Sequence, residues 1–222
     1  MAELVHALNR GVDKRRIFMD DHDHMRFAYG LFIFNDSKRV DIASLKAKGL
    51  TMSFSKRGAE ERERLVDVHG WCLMGNHYHL LLSERVESGI SMFLKKLNIG
   101  YAKYFNDRHR RSGTLFQGRT KQVRIEADSQ FLHILNYIHL NPLDFLKECS
   151  DWREHRIAGM QIALAHLEQY RWSSFMDYCG HANFPTIITT GLFSDVFKDY
   201  RHEIRSYLED TDIASLKELR IE

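Results

Sequence analysis

The sequence predicts an α+β fold followed by a helical extension, on three observations. A short N-terminal run, Leu4 to Asn9, and a long apolar run, Leu65 to Ser83, have strand character. The segments between and after them place apolar residues at helical spacing. Strands and helices alternate as far as about residue 145, and beyond it helical patterns prevail.

Taken in order, Leu4 to Asn9 is a first strand closed by Gly11. Asp20-Asp21-His22-Asp23 opens a helix, because carboxylates favour the positive N-terminal end, and Met25, Phe27, Ala28, Leu31 and Phe32 give it an apolar stripe. Lys46 to Glu63 is polar and charged, a loop with a helical piece. In Leu65 to Ser83, Gly75-Asn76 makes either a hairpin turn between two strands or a bulge in one bent strand. Ser88 or Ser91 starts a helix running to Asn106, with Ile90, Phe93, Leu94, Leu97, Tyr101, Tyr104 and Phe105 on one face and Lys95, Lys96 and Lys103 on the other. Gly113 to Gly118 is a glycine-bounded turn and Lys121 to Ile125 a short strand. Asp128 or Ser129 caps a helix with Phe131, Leu132, Leu135 and Ile138 on its apolar face, and Pro142 ends it, since the residue before a proline is pushed out of helical geometry. Helices are expected over Trp152 to Tyr170 and Leu192 to Leu208, with Trp172-Ser173-Ser174 on a connection. The division falls near residue 146, giving 1–145 and 146–222.

With 222 residues, 44% hydrophobic and 28% charged, the chain suits a soluble globular protein with a real core. No stretch of about 18 apolar residues exists, so no membrane span is expected. The N-terminus lacks the basic and apolar regions of a secretory signal. Cys72, Cys149 and Cys179 are too few and too scattered for a disulfide framework or a thiolate zinc site, and a cytoplasmic setting fits. The net charge of +2 is small, but positive charge bunches at Lys14-Arg15-Arg16, at Arg108-His109-Arg110-Arg111 and at Arg119, Lys121 and Arg124. Such clusters serve either as solvated surface or as partners for a phosphate backbone.

Two constellations carry chemistry. In His77-Tyr78-His79 the histidines are two apart, so on a strand both rings project from one face, close enough to share a cation or else to bond separate neighbours. Tyr137 and Asn141 are four apart and share a helix face; Asn141 offers a hard amide oxygen suited to Mg²⁺ or Mn²⁺, and Tyr137 is either a nucleophile beside that ion or a core aromatic. His139 points about 160° away from that face and is given no metal role. His22, His24, His109 and His155 are expected at the surface.

Met74-Gly75-Asn76-His77-Tyr78-His79-Leu80-Leu81-Leu82 resembles the His-hydrophobic-His motif of HUH single-strand DNA transposases. Asn136-Tyr137-Ile138-His139-Leu140-Asn141-Pro142 is similar to the nucleophile helix of the REP-associated tyrosine transposases. Asn9-Arg10-Gly11 with Ile17-Phe18, Gly113-Thr114-Leu115-Phe116-Gln117-Gly118-Arg119 and Trp172-Ser173-Ser174 add to the likeness, which spans most of residues 1–180. The resemblance implies a ferredoxin-like core with a central antiparallel sheet. It implies His77, His79 and Asn141 as ligands of Mg²⁺ or Mn²⁺, and Tyr137 as a single nucleophile forming a 5′-phosphotyrosine on single-stranded or hairpin DNA. A DNA-binding module with an idle site, acting on repeat elements, is the alternative. Arg10, Arg119, Lys121 and Arg124, basic and near these motifs, are the expected backbone contacts, and a homodimer is possible.

Overall fold

The computed structural model describes residues 3–38 and 62–209. The helical piece expected within Lys46 to Glu63 lies almost wholly outside them. Strand β1 spans Leu4–Arg10, helix α1 Asp21–Ile33, β2 Val66–Leu73, β3 His77–Glu84, α2 Gly89–Arg108 and β4 Lys121–Ile125. The sheet order is β2-β3-β1-β4 with every neighbouring pair antiparallel. This is the split β-α-β arrangement of a ferredoxin-like core, as the sequence led us to expect.

The register sorts side chains between two faces, because cross-strand partners point the same way. Val5 and Ala7 of β1, Tyr78, Leu80 and Leu82 of β3, and Trp71 and Leu73 of β2 meet α1 and α2 in one core. The opposite face carries His6, Leu8 and Arg10 from β1, His77, His79 and Leu81 from β3, Cys72 from β2, and Lys121 and Val123 from β4. Helix α3, Asp128–Leu140, covers that second face through Ile134, Leu135 and Ile138. Close approach at this layer needs Gly70, where a Cβ would lie 2.7 Å from the Leu135 Cδ1. Beside it the ladder of β2 slips between Val68 and Gly70, leaving His69 as the extra residue of a bulge, bonded to Ser83 Oγ at 2.8 Å.

The chain after residue 145 fills the rest of the second core with Trp152, Ala163, Leu164, Leu167, Phe175, Phe193 and Tyr200. It is less helical than expected. Trp152–Glu154 is one 3₁₀ turn ended by His155 at φ 53°, and the helix α4 begins only at Met160, after Gly159, ending at Gln169. A single turn, α5, follows at Phe175–Tyr178, and Leu192 to Leu208 likewise divides, into α6 at Gly191–Ser194 and α7 at Tyr200–Glu209. Trp172-Ser173-Ser174 is no passive connection. Leu73 N–H donates to the Trp172 carbonyl at 2.9 Å, Ser174 N–H to the Trp71 carbonyl at 3.0 Å, and Trp71 N–H to Ser174 Oγ at 2.9 Å. The segment thereby covers the open edge of β2, whose unpaired backbone would otherwise be exposed.

At the helix starts, the cap differs from what the sequence suggests in one case, α3. Ser88 precedes α2 in the left-handed region at φ 57° without a side-chain cap, and Glu84 Oε1 instead accepts from Ile90 N–H at 3.1 Å. Neither Asp128 nor Ser129 caps α3; Gln130 Oε1 reaches back to Glu126 N–H at 3.2 Å and to Ala127 N–H. Asp20 caps α1, accepting from His22 and Asp23 N–H. His24 is buried rather than superficial, stacked between Phe18 and Trp172. All three cysteines are free, and among the described residues no helix is long and apolar enough to cross a membrane.

Candidate active site

One end of the sheet gathers the segments singled out in the sequence. The turn Met74-Gly75-Asn76 joins β2 to β3, and the chain leaving β1 folds over it: Gly11 N–H donates to the Asn76 carbonyl at 2.8 Å, and Ile17 and Phe18 N–H both donate to the Gly75 carbonyl. Asn76 Nδ2 donates to the Lys14 carbonyl at 3.1 Å, placing the basic run Lys14-Arg15-Arg16 beside the hairpin. Gln117 N–H donates to the Arg10 carbonyl at 2.7 Å, so the glycine-bounded turn docks there too.

His77 and His79 start β3 on the face covered by α3. Their rings lie 4.9 Å apart, centroid to centroid, at 78° to each other. Asn76 Oδ1 accepts from His77 Nδ1 at 2.6 Å, which fixes the proton on Nδ1 and leaves Nε2 with its lone pair. The Nε2 atoms of both rings are buried with no hydrogen-bond partner. Burial lowers the pKa of His77 to about 4, with the Arg10 guanidinium adding to the effect, and holds His79 well below the ordinary imidazole value. Both rings are neutral near pH 7, the form that binds a metal.

Tyr137 and Asn141 come from α3 and its C-cap. The Tyr137 ring packs edge-on with its centre 5.9 Å from His79 and 6.1 Å from His6, and is 9% exposed. Asn141 is buried and differently engaged. Its amide nitrogen donates to the Tyr137 carbonyl at 2.8 Å, and its oxygen accepts from Arg153 Nη2 at 3.1 Å. Arg153 also grips Asp144 at 2.5 and 3.0 Å and lies 5.9 Å from the Tyr137 ring centre. Its charge reaches both His77 and His79. Sequence reasoning missed Arg153, because an arginine in a charged stretch carries no local signature.

Of the expected backbone contacts, Arg10 pairs in register with His77, and Lys121 shares the site's face of the sheet. Arg119 is exposed in the turn before β4. Arg124 falls on the other face, ion-paired to Glu3 at 2.5 Å. His139 turns away as expected; its ring nitrogens meet the Tyr200 hydroxyl at 2.8 Å and Ser174 Oγ at 2.7 Å.

The two orphaned, neutral imidazole nitrogens are a donor pair that fits a divalent cation, and the Asn141 oxygen, although bonded to Arg153, keeps a second lone pair. Among the described residues no group of three or more His, Cys, Asp or Glu side chains is disposed to hold a metal.

No family model matches the chain, and no curated protein matches it. Among solved structures, one described as a REP-associated tyrosine transposase bound to a REP hairpin is similar over 85% of this chain and 85% of its own, at 12% identity and a TM-score of 0.45.

Proposed function

We propose that the chain is a metal-dependent enzyme that nicks and rejoins single-stranded DNA, with Tyr137 as nucleophile and His77, His79 and Asn141 as ligands of Mg²⁺ or Mn²⁺. One observation carries this: two buried imidazole nitrogens without partners sit side by side on one strand, and the ring of a tyrosine on the facing helix packs edge-on against the second of those imidazoles. The motif resemblance adds the same residues in the same roles.

A cation held there would draw charge from a non-bridging phosphate oxygen. The protein's own groups do the rest. Arg10, beside His77, and Lys121, on the same face, supply positive charge for the backbone of the strand. The Tyr137 oxygen forms a bond to phosphorus in line with the departing 3′ oxygen; the phenolic proton leaves to solvent and the 3′ oxygen is protonated as it departs. The 5′-phosphotyrosine keeps the phosphodiester energy, so a 3′-hydroxyl reverses the step without a nucleotide cofactor.

A non-cleaving DNA-binding module has one observation in its favour, the Asn141 oxygen already bonded to Arg153. A covalent-adduct assay separates the two. Incubation with a single-stranded hairpin in Mn²⁺, then denaturing electrophoresis, is expected to give a protein–DNA adduct that Tyr137→Phe abolishes. Cleavage by Tyr137→Phe would remove Tyr137 as nucleophile. DNA retention without adduct by the wild type would favour the module.

A further inference from the structure

We infer that His6 is a positioning residue for His79, fixing the ring so that its Nε2 offers a lone pair to the cation. This rests on the proposal that His77 and His79 hold a metal.

His6 sits on β1, fully buried, on the same face as His79 and one ladder step along from it. The two rings lie nearly in one plane, 4° from parallel with centroids 5.2 Å apart, and His6 Nε2 and His79 Nδ1 meet edge to edge at 3.0 Å. One proton serves that contact. If it sits on His6 Nε2, His79 accepts at Nδ1 and must carry its own proton at Nε2, where it blocks a metal. If it sits on His79 Nδ1, His6 accepts and His79 Nε2 is bare. Only the second arrangement makes His79 a ligand, and it gives the ring the outer partner that a ligating imidazole uses to settle its tautomer and raise its basicity. Asn76 Oδ1 does the same for His77 at 2.6 Å. Each ligand ring thus has its own acceptor behind it, one from the hairpin turn and one from the neighbouring strand. His6 Nδ1, buried and unpartnered, is left holding the other proton. A buried donor with no acceptor is costly, so a merely structural site would be better filled by an apolar ring.

Two measurements on the full chain test this. Long-range proton–nitrogen NMR of the metal-free protein is expected to find His79 protonated at Nδ1 and bare at Nε2; the reverse would overturn the proposal. Mn²⁺ affinity by calorimetry is the second. His6→Phe keeps a flat ring in the same place but removes the acceptor, and is expected to weaken Mn²⁺ binding roughly 10- to 100-fold. His6→Gln, which restores an acceptor near the Nε2 position, is expected to recover most of that loss. If His79→Ala abolishes binding while His6→Phe binds as the wild type does, His6 has no positioning role although the metal site stands. If the wild type shows no binding that depends on His79, both fall. Should His6→Phe fail to fold, His6→Gln and the wild-type tautomer decide.

Discussion

Arg153 touches both sides of the proposed site. One guanidinium nitrogen holds the Asn141 oxygen, the fork grips Asp144, and the plane lies near the Trp152 and Tyr137 rings at 4.3 and 5.9 Å. Its side chain is 33% exposed and that of Asp144 34%, so the ion pair contributes at most about 1 kcal/mol to stability. Its effect on positioning is larger, because it sets which way the Asn141 amide faces. Arg153→Ala is expected to leave the urea midpoint almost unchanged while lowering adduct formation roughly tenfold or more, the loss typical of removing a partner behind a ligand. Arg153→Lys recovers little, since an ammonium cannot bridge two oxygens with a planar fork. A fall in stability matched by no fall in activity would assign Arg153 to packing alone.

At the scale of elements, α3 and β3 must lie at a set distance for Tyr137 to pack against His79, and Gly70 sets it. With a Cβ already 2.7 Å from Leu135 Cδ1, Gly70→Val displaces the end of that fully buried side chain and crowds the layer between β2 and α3. It is expected to cost about 1–3 kcal/mol by overpacking and to lower both adduct formation and Mn²⁺ affinity, because Tyr137 and Asn141 move with the helix while the imidazoles stay on β3. Adduct formation and Mn²⁺ affinity both at the wild-type level would mean that the layer absorbs the side chain without shifting α3. These elements differ in how much of them local sequence specifies. A period of two put His77 and His79 on one face of β3, and the Tyr137–Asn141 spacing fixed their common helix face; both are local properties. The helix expected over Trp152 to Tyr170 broke because left-handed His155 and Gly159 interrupt a pattern whose apolar spacing alone looked continuous. The bulge at His69, the caps from Glu84 and Gln130, and the partners His6 and Arg153 were illegible. Each depends on a register or a tertiary contact between distant segments, and single-sequence spacing does not encode it.

Across the whole molecule, buried imidazoles link the layers and make the fold sensitive to acid. His139 ties α3 to α7 and to the Trp172-Ser173-Ser174 segment, His69 ties β2 to the Thr189 carbonyl, and His6 and His79 join the central strands. Burial lowers the pKa of His6 and His139 to about 3 and that of His77 to about 4, and depresses His24, His69 and His79 as well. In the unfolded chain each ring takes up a proton near pH 6.5, whereas the native protein keeps it neutral. Below pH 6.5 the unfolded state therefore binds more protons, so stability is full above that pH and is lost as pH falls towards 4. For each such ring the loss approaches about 1.4 kcal/mol per pH unit, and His6, His77 and His139 together give about 4 kcal/mol per unit as an upper bound. Two such units, about 8 kcal/mol, would take most or all of the about 5–15 kcal/mol by which a domain is stable. Metal-free protein is accordingly expected to show urea midpoints that hold between pH 8 and 7, drop steeply by pH 5, and collapse before most carboxylates titrate. Mn²⁺ should raise the midpoint at pH 7 and lose its effect with acid, since it competes with protons for the same two nitrogens. A midpoint flat from pH 7 to pH 5 would mean that these rings are hydrated in solution, and with them the site that depends on their being neutral.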